Sequence, residues 1–114
     1  MESILTSIKK LLGIAEEYAH FDADIIMHIN SAFMILRQMG VGPPGGFTIS
    51  DDSAVWTDYI PDIEKIEAVK TYIAMKVRLV FDPPTSSALL DALKQSIQEY
   101  EWRLNVEAET PTIT

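Results

Sequence analysis

His20 and His28 are the only imidazoles in the chain, and Asp22 and Asp24 stand beside the first of them. Imidazole with carboxylate is the vocabulary of a metal site, but neither histidine has a second histidine or a thiol at metal-ligand spacing. Both therefore read as helix-entry or partly buried histidines, and no metal is expected. Asp51, Asp52 and Asp58 flank Trp56 and would be the candidates for a general acid and base. Aspartate just before a helical turn is more simply a cap. The glycines at 42, 45 and 46 follow a helical pattern instead of a strand and lack the ordered lysine and hydroxyl residue of a phosphate-binding loop. With no cysteine, serine elbow or paired-histidine helix either, an enzyme reading finds no support and no cofactor is implied.

Residues suited to interaction are better placed. Trp102 lies nearly opposite a helical seam of Leu93, Ile97, Tyr100 and Leu104, with Val106 one turn further on. It either packs under the N-terminal helix or faces a partner, since aromatic residues dominate both cores and interfaces. Met27 and Met34, with Ser31 and Gln38, share the helix face opposite a second apolar stripe. That face offers a subunit contact or covers a second internal neighbour.

The elements that must position these residues are all helical. Ser3 to Leu12 places Ile4, Ile8, Leu11 and Leu12 on one side, with Gly13 to end a short amphipathic helix. Asp22 is the expected cap of the second helix, with Phe21 and Ile26 spaced as a hydrophobic staple. Ile25, Ile29, Ala32, Phe33 and Leu36 carry that helix to about Met39, where Gly40 stops it. Val41 to Gly46, a Gly/Pro stretch, cannot be helical. Phe47 to Ile49 suggests a short extended piece, after which Asp52 or Ser53 would cap a single turn through Ala54, Val55 and Trp56.

A third helix starts after Asp62 and carries two apolar stripes, Ile66, Val69, Ile73, Val77, Val80 and Ala68, Tyr72, Met75, Leu79. Two stripes require neighbours on two sides. Its many β-branched residues admit a strand, but the run exceeds the ~10 residues of an ordinary one. Asp82-Pro83-Pro84 ends it, Thr85 or Ser86 caps the next, and that last helix runs to about Glu107 with a bundle seam that includes Leu90. The expectation is an all-α bundle of about four helices plus a short turn, with a Gly/Pro loop between helices two and three and a long C-terminal helix. It forms one domain over residues 1–107, followed by a flexible tail over 108–114.

Composition narrows the class. At 114 residues a single core should bury roughly 65% of the unfolded surface without disulfides. Seventeen acidic against nine basic residues give a formal charge of -8, which disfavours grip on nucleic acid by phosphate neutralisation. The longest apolar runs are far short of the ~20 residues that span a bilayer, so a soluble, unexported chain is expected and no membrane.

Ala54-Val55-Trp56-Thr57-Asp58-Tyr59-Ile60-Pro61-Asp62, Lys76-Val77-Arg78-Leu79-Val80-Phe81-Asp82-Pro83-Pro84 and Glu101-Trp102-Arg103-Leu104-Asn105-Val106, in this order along nearly the whole chain, resemble the head-tail connector (adaptor) proteins of long-tailed bacteriophages and prophages. The resemblance implies a homo-oligomeric ring under the portal, twelve-fold as the portal is, that hands over to a stopper or tail-completion protein. DNA would pass through its centre without sequence-specific binding, in the neck of the virion, after assembly in the host cytoplasm. It also implies that Trp102, Arg103, Val106 and Glu107, near the C-terminus, dock on the portal. A ring needs two different sticky faces, which Met27, Ser31, Met34 and Gln38 would help supply. The rival from another class is a small acidic helical regulator that occupies a host or phage protein.

Overall fold

The computed structural model describes residues 2–109. They form five helices: α1 (Ile4–Leu11), α2 (Asp22–Gln38), the single turn α3 (Trp56–Tyr59), α4 (Ile63–Phe81) and α5 (Ser87–Glu109). The all-α bundle read from the sequence is the observed architecture. Its long axes span 45 and 36 Å and its thickness only 20 Å, about two helix diameters. The predicted third and fourth helices correspond to α4 and α5.

Two glycines stop helices as the sequence implied. Gly40 has φ +86°, and the N–H of Val41 donates to the carbonyl of Leu36 at 2.8 Å while that of Gly40 donates to Arg37 at 3.0 Å. These bonds satisfy carbonyls the helix end would otherwise leave open. Gly13, at φ +78°, closes α1 in the same way, with Ile14 donating to Lys9. Asp62 caps α4, its carboxylate accepting from the N–H groups of Glu64 and Lys65. Ser86 caps α5 through a long 3.4 Å bond from the Leu89 N–H.

α4 is the centre of the bundle, packed against α2 on one side and α5 on the other, with α1 laid against α2 and α4. Ile66, Val69, Tyr72, Ile73 and Val77 are its buried residues, which fits the two stripes. Each buried aliphatic side chain of this kind contributes about 1.5 to 3 kcal/mol. Val80 departs from the expected stripe and is 58% exposed, because it falls in the last turn where the bundle ends.

Several local expectations are corrected by tertiary contacts. α1 is not amphipathic in place: Ile4 to Lys9 are all buried, Thr6, Ser7 and Lys9 included. Asp22 is the first residue of α2 and not its cap; Phe21 holds the cap position without a side-chain bond and packs edge-to-face against Phe81, with ring centres 5.3 Å apart. The turn near Trp56 begins one position after Val55 and is capped from inside, the Val55 N–H donating to Asp58 at 2.9 Å. Phe47 to Ile49 is not a strand. The Asn30 side-chain amide instead donates to the carbonyl of Ile49 and accepts from its N–H, at 2.9 and 2.8 Å, pairing as a neighbouring strand would. α5 continues to Glu109, two residues beyond the predicted end, and Ala108 lies beside Gly40. The remainder of the predicted tail, residues 110–114, lies outside the described residues.

Candidate docking surfaces

α5 buries a narrow seam. Ile97 and Leu104 are its two buried residues, with Leu93 and Tyr100 partly buried on the same line. A half-buried polar bond accompanies this seam and turns Glu101 to α4: the Tyr72 hydroxyl donates to Glu101 at 2.7 Å, and Lys76 lies 3.8 Å from the same carboxylate oxygen. Burial and the adjoining carboxylate both push the Tyr72 phenol well above its usual range, so it remains a donor. With Glu101 turned to α4, the next residue is turned away. Trp102 is 66% exposed, which excludes packing under α1, and Val106 is 40% exposed on the following turn.

Arg103 and Glu107 are exposed beside them. Arg103 donates through Nε and Nη2 to Glu99 at 3.2 and 2.8 Å. Such an exposed helix pair stabilises by no more than ~0.5 kcal/mol and can be exchanged for a partner's carboxylate. The four residues called from the sequence therefore share one accessible length of α5.

On α2, Met27 and Met34 are each 56% exposed, and Ser31 between them donates its hydroxyl to the Met27 carbonyl at 3.0 Å. These three line a groove of about 790 Å³; Gln38 is exposed but does not line it. The opposite wall is the Gly/Pro loop, from Gly45 to Thr48. Arg37 draws that loop back by donating Nε to the Pro44 carbonyl at 3.0 Å, and Phe47 packs edge-to-face against Phe33 beneath it, ring centres 5.2 Å apart. Sequence reasoning missed this wall, although an asparagine on the inner edge of the methionine face was its signal.

The carboxylates near Trp56 are occupied in turn geometry. Asp51 accepts from the hydroxyl and N–H of Ser53, which lowers its carboxyl, and Asp58 caps Val55. Trp56 itself is core, donating Nε1 to Ser7 at 2.8 Å. His20 stacks edge-on against Phe21 with centres 4.7 Å apart. Among the described residues no three metal-ligating side chains come together, and no described helix is long and apolar enough to cross a membrane.

With exposed apolar side chains on α1, α2, α4 and α5 and no assembled catalytic group among the described residues, the molecule offers surfaces. A family model described as phage connector protein matches residues 4–111, nearly the entire chain. The chain belongs to the phage connector family. No curated protein and no solved structure matches it. Membership makes the connector a structural component of the virion neck that meets portal and tail proteins. Its all-helical bundle carries exposed apolar side chains, Met27 and Met34 on α2 and Trp102 and Val106 on α5 among them.

Proposed function

We propose that this connector is a non-enzymatic subunit of a twelve-fold ring beneath the portal, which extends the DNA channel and presents the surface on which stopper or tail-completion proteins dock. The carrying observation is the pair of exposed apolar faces on different helices, Met27 and Met34 on α2 and Trp102 and Val106 on α5. A head-to-tail ring contact joins two unlike surfaces, so a single patch would not suffice. In this reading Met27, Ser31, Met34 and Gln38 meet the neighbouring subunit, and Trp102, Arg103, Val106 and Glu107 meet the portal.

Energetics favour assembly on a template. One tryptophan and one valine give a modest contact per subunit, but subunits tied in a ring dissociate only together, so weak contacts multiply. The formal charge of -8 suits a conduit, because a wall that repels phosphates leaves DNA free to slide. Bound as a ring, the protein is placed at the neck of the virion after assembly in the host cytoplasm.

Co-sedimentation with the purified cognate portal tests the assignment of faces. Wild-type protein should travel with the portal at one copy per portal subunit, and Trp102→Ala should stay in the supernatant while its unfolding midpoint is unchanged. Equal co-sedimentation of wild type and Trp102→Ala would remove α5 from the portal contact.

A further inference from the structure

A third surface, separate from both helix faces, sits where the 14–21 connection meets the end of α4. Tyr18, His20, Phe21 and Phe81 form a continuous chain of rings, with successive centres 4.7 to 6.1 Å apart. Tyr18, His20 and Phe21 are exposed, as is Val80 beside Phe81. Apolar rings in a surface loop ordinarily collapse or fluctuate, but this loop is clamped from below. Lys9, only 2% exposed, donates Nζ to the carbonyls of Glu16 and Tyr18 at 2.9 and 2.8 Å and lies 2.9 Å from Asp22 Oδ1. A buried lysine with three oxygen neighbours holds the backbone under the rings in one position.

Charge selects what such a platform takes. Residues 14–24 contain no lysine or arginine and carry Glu16, Glu17 and Asp24 besides Asp22, which is held by Lys9, and exposed Asp82 follows Phe81. The nearby cations are directed elsewhere. Lys9 is engaged beneath the loop, Lys10 pairs with Glu2, and Arg78 lines a separate hollow with Leu11, Leu12 and Met75. Exposed ring faces with carboxylates around them suit a guanidinium, which stacks on the rings and bonds to the acids. The same carboxylates repel a nucleic-acid backbone.

We infer that the Tyr18-His20-Phe21-Phe81 platform is a docking site for an arginine-bearing segment of a partner protein. The inference does not rest on the ring or on the portal contact of α5, and it stands if either assignment fails.

A titration followed by NMR of the aromatic side chains tests it, with tetra-arginine amide as probe and tetra-citrulline amide as its neutral counterpart of similar shape. The arginine peptide should shift the rings of Tyr18, His20, Phe21 and Phe81 first, and the citrulline peptide should not. Tyr18→Ala should weaken the arginine peptide roughly fivefold. Glu16→Gln with Glu17→Gln, which leaves every ring in place, should weaken it as well and flatten its salt dependence. Equal binding of both peptides, shifts spread evenly over the acidic stretch from Asp51 to Asp62, an unchanged Tyr18→Ala titration, or no shift at all would each overturn the assignment.

Discussion

Replacing Lys9 by methionine isolates the contacts that hold the 14–21 connection. The methylene stem and its packing are largely retained, while the ammonium is lost from between two carbonyls at 2.9 and 2.8 Å and a carboxylate oxygen at 2.9 Å. Removing one member of a buried ion pair costs about 3 to 5 kcal/mol, because the other is left uncompensated. Here the lower end applies: Glu16 and Tyr18 are exposed, so their carbonyls regain water if the loop lifts, and the Asp22 side chain is 29% exposed. We expect a loss of ~3 kcal/mol in urea unfolding, with early hydrogen exchange at the amides of Tyr18 and Asp22, which donate to Ala15 and Ala19. Adding Asp22→Asn to Lys9→Met should recover part of the loss by removing the stranded charge. An unchanged midpoint with unchanged exchange at Tyr18 would refute the view that Lys9 is the clamp.

Other perturbations separate backbone strain from packing. Gly42→Ala forces a Cβ at φ +91° to within 2.6 Å of the Tyr59 hydroxyl oxygen and should cost about 2 to 4 kcal/mol by thermal unfolding. Gly13→Ala, at φ +78° with nothing within 4 Å, should cost only ~1 kcal/mol. Ser7→Ala strands the buried Trp56 Nε1–H and should cost about 1 to 3 kcal/mol, accompanied by a changed indole environment in near-ultraviolet spectra. At alkaline pH, burial holds the Tyr59 phenol at about 12 and pushes the Tyr72 phenol higher still. A raised folded-state value contributes stability that is present below the ordinary tyrosine value near 10 and lost as pH rises past it. Denaturation midpoints should accordingly fall above about pH 10, and less steeply in Tyr72→Phe.

Much of the scaffold was legible because its signals are local. Gly13 and Gly40 end their helices by the left-handed conformation that only glycine adopts freely, Asp62 caps its own next turn, and Asp82-Pro83-Pro84 cannot continue a helix. The two apolar stripes of α4 require neighbours on two sides, which α2 and α5 supply. What escaped depended on distant partners. Ser7 and Lys9 are polar by type yet buried, because Trp56 Nε1 and the loop carbonyls come to them from elsewhere in the chain. The turn at Trp56 takes its cap from Asp58 within it instead of from Asp52 or Ser53 ahead of it.

At the surfaces the same division holds. Helical geometry alone put Trp102 opposite its seam, whereas the choice between core and exposure required the packing of α5 on α4, which the Tyr72 to Glu101 bond accompanies. Met27, Ser31 and Met34 were visible as a face, but their groove depends on Arg37 holding the Gly/Pro loop, a contact no periodicity reveals.

Electron cryomicroscopy of the protein mixed with its cognate portal tests the central claim most directly. A closed ring of added density on the tail-proximal side of the portal, with α5 and Trp102 at the portal boundary and the α2 groove against the neighbouring subunit, is the expected image. Portal particles with no added density, or with isolated copies that never close into a ring, would contradict it.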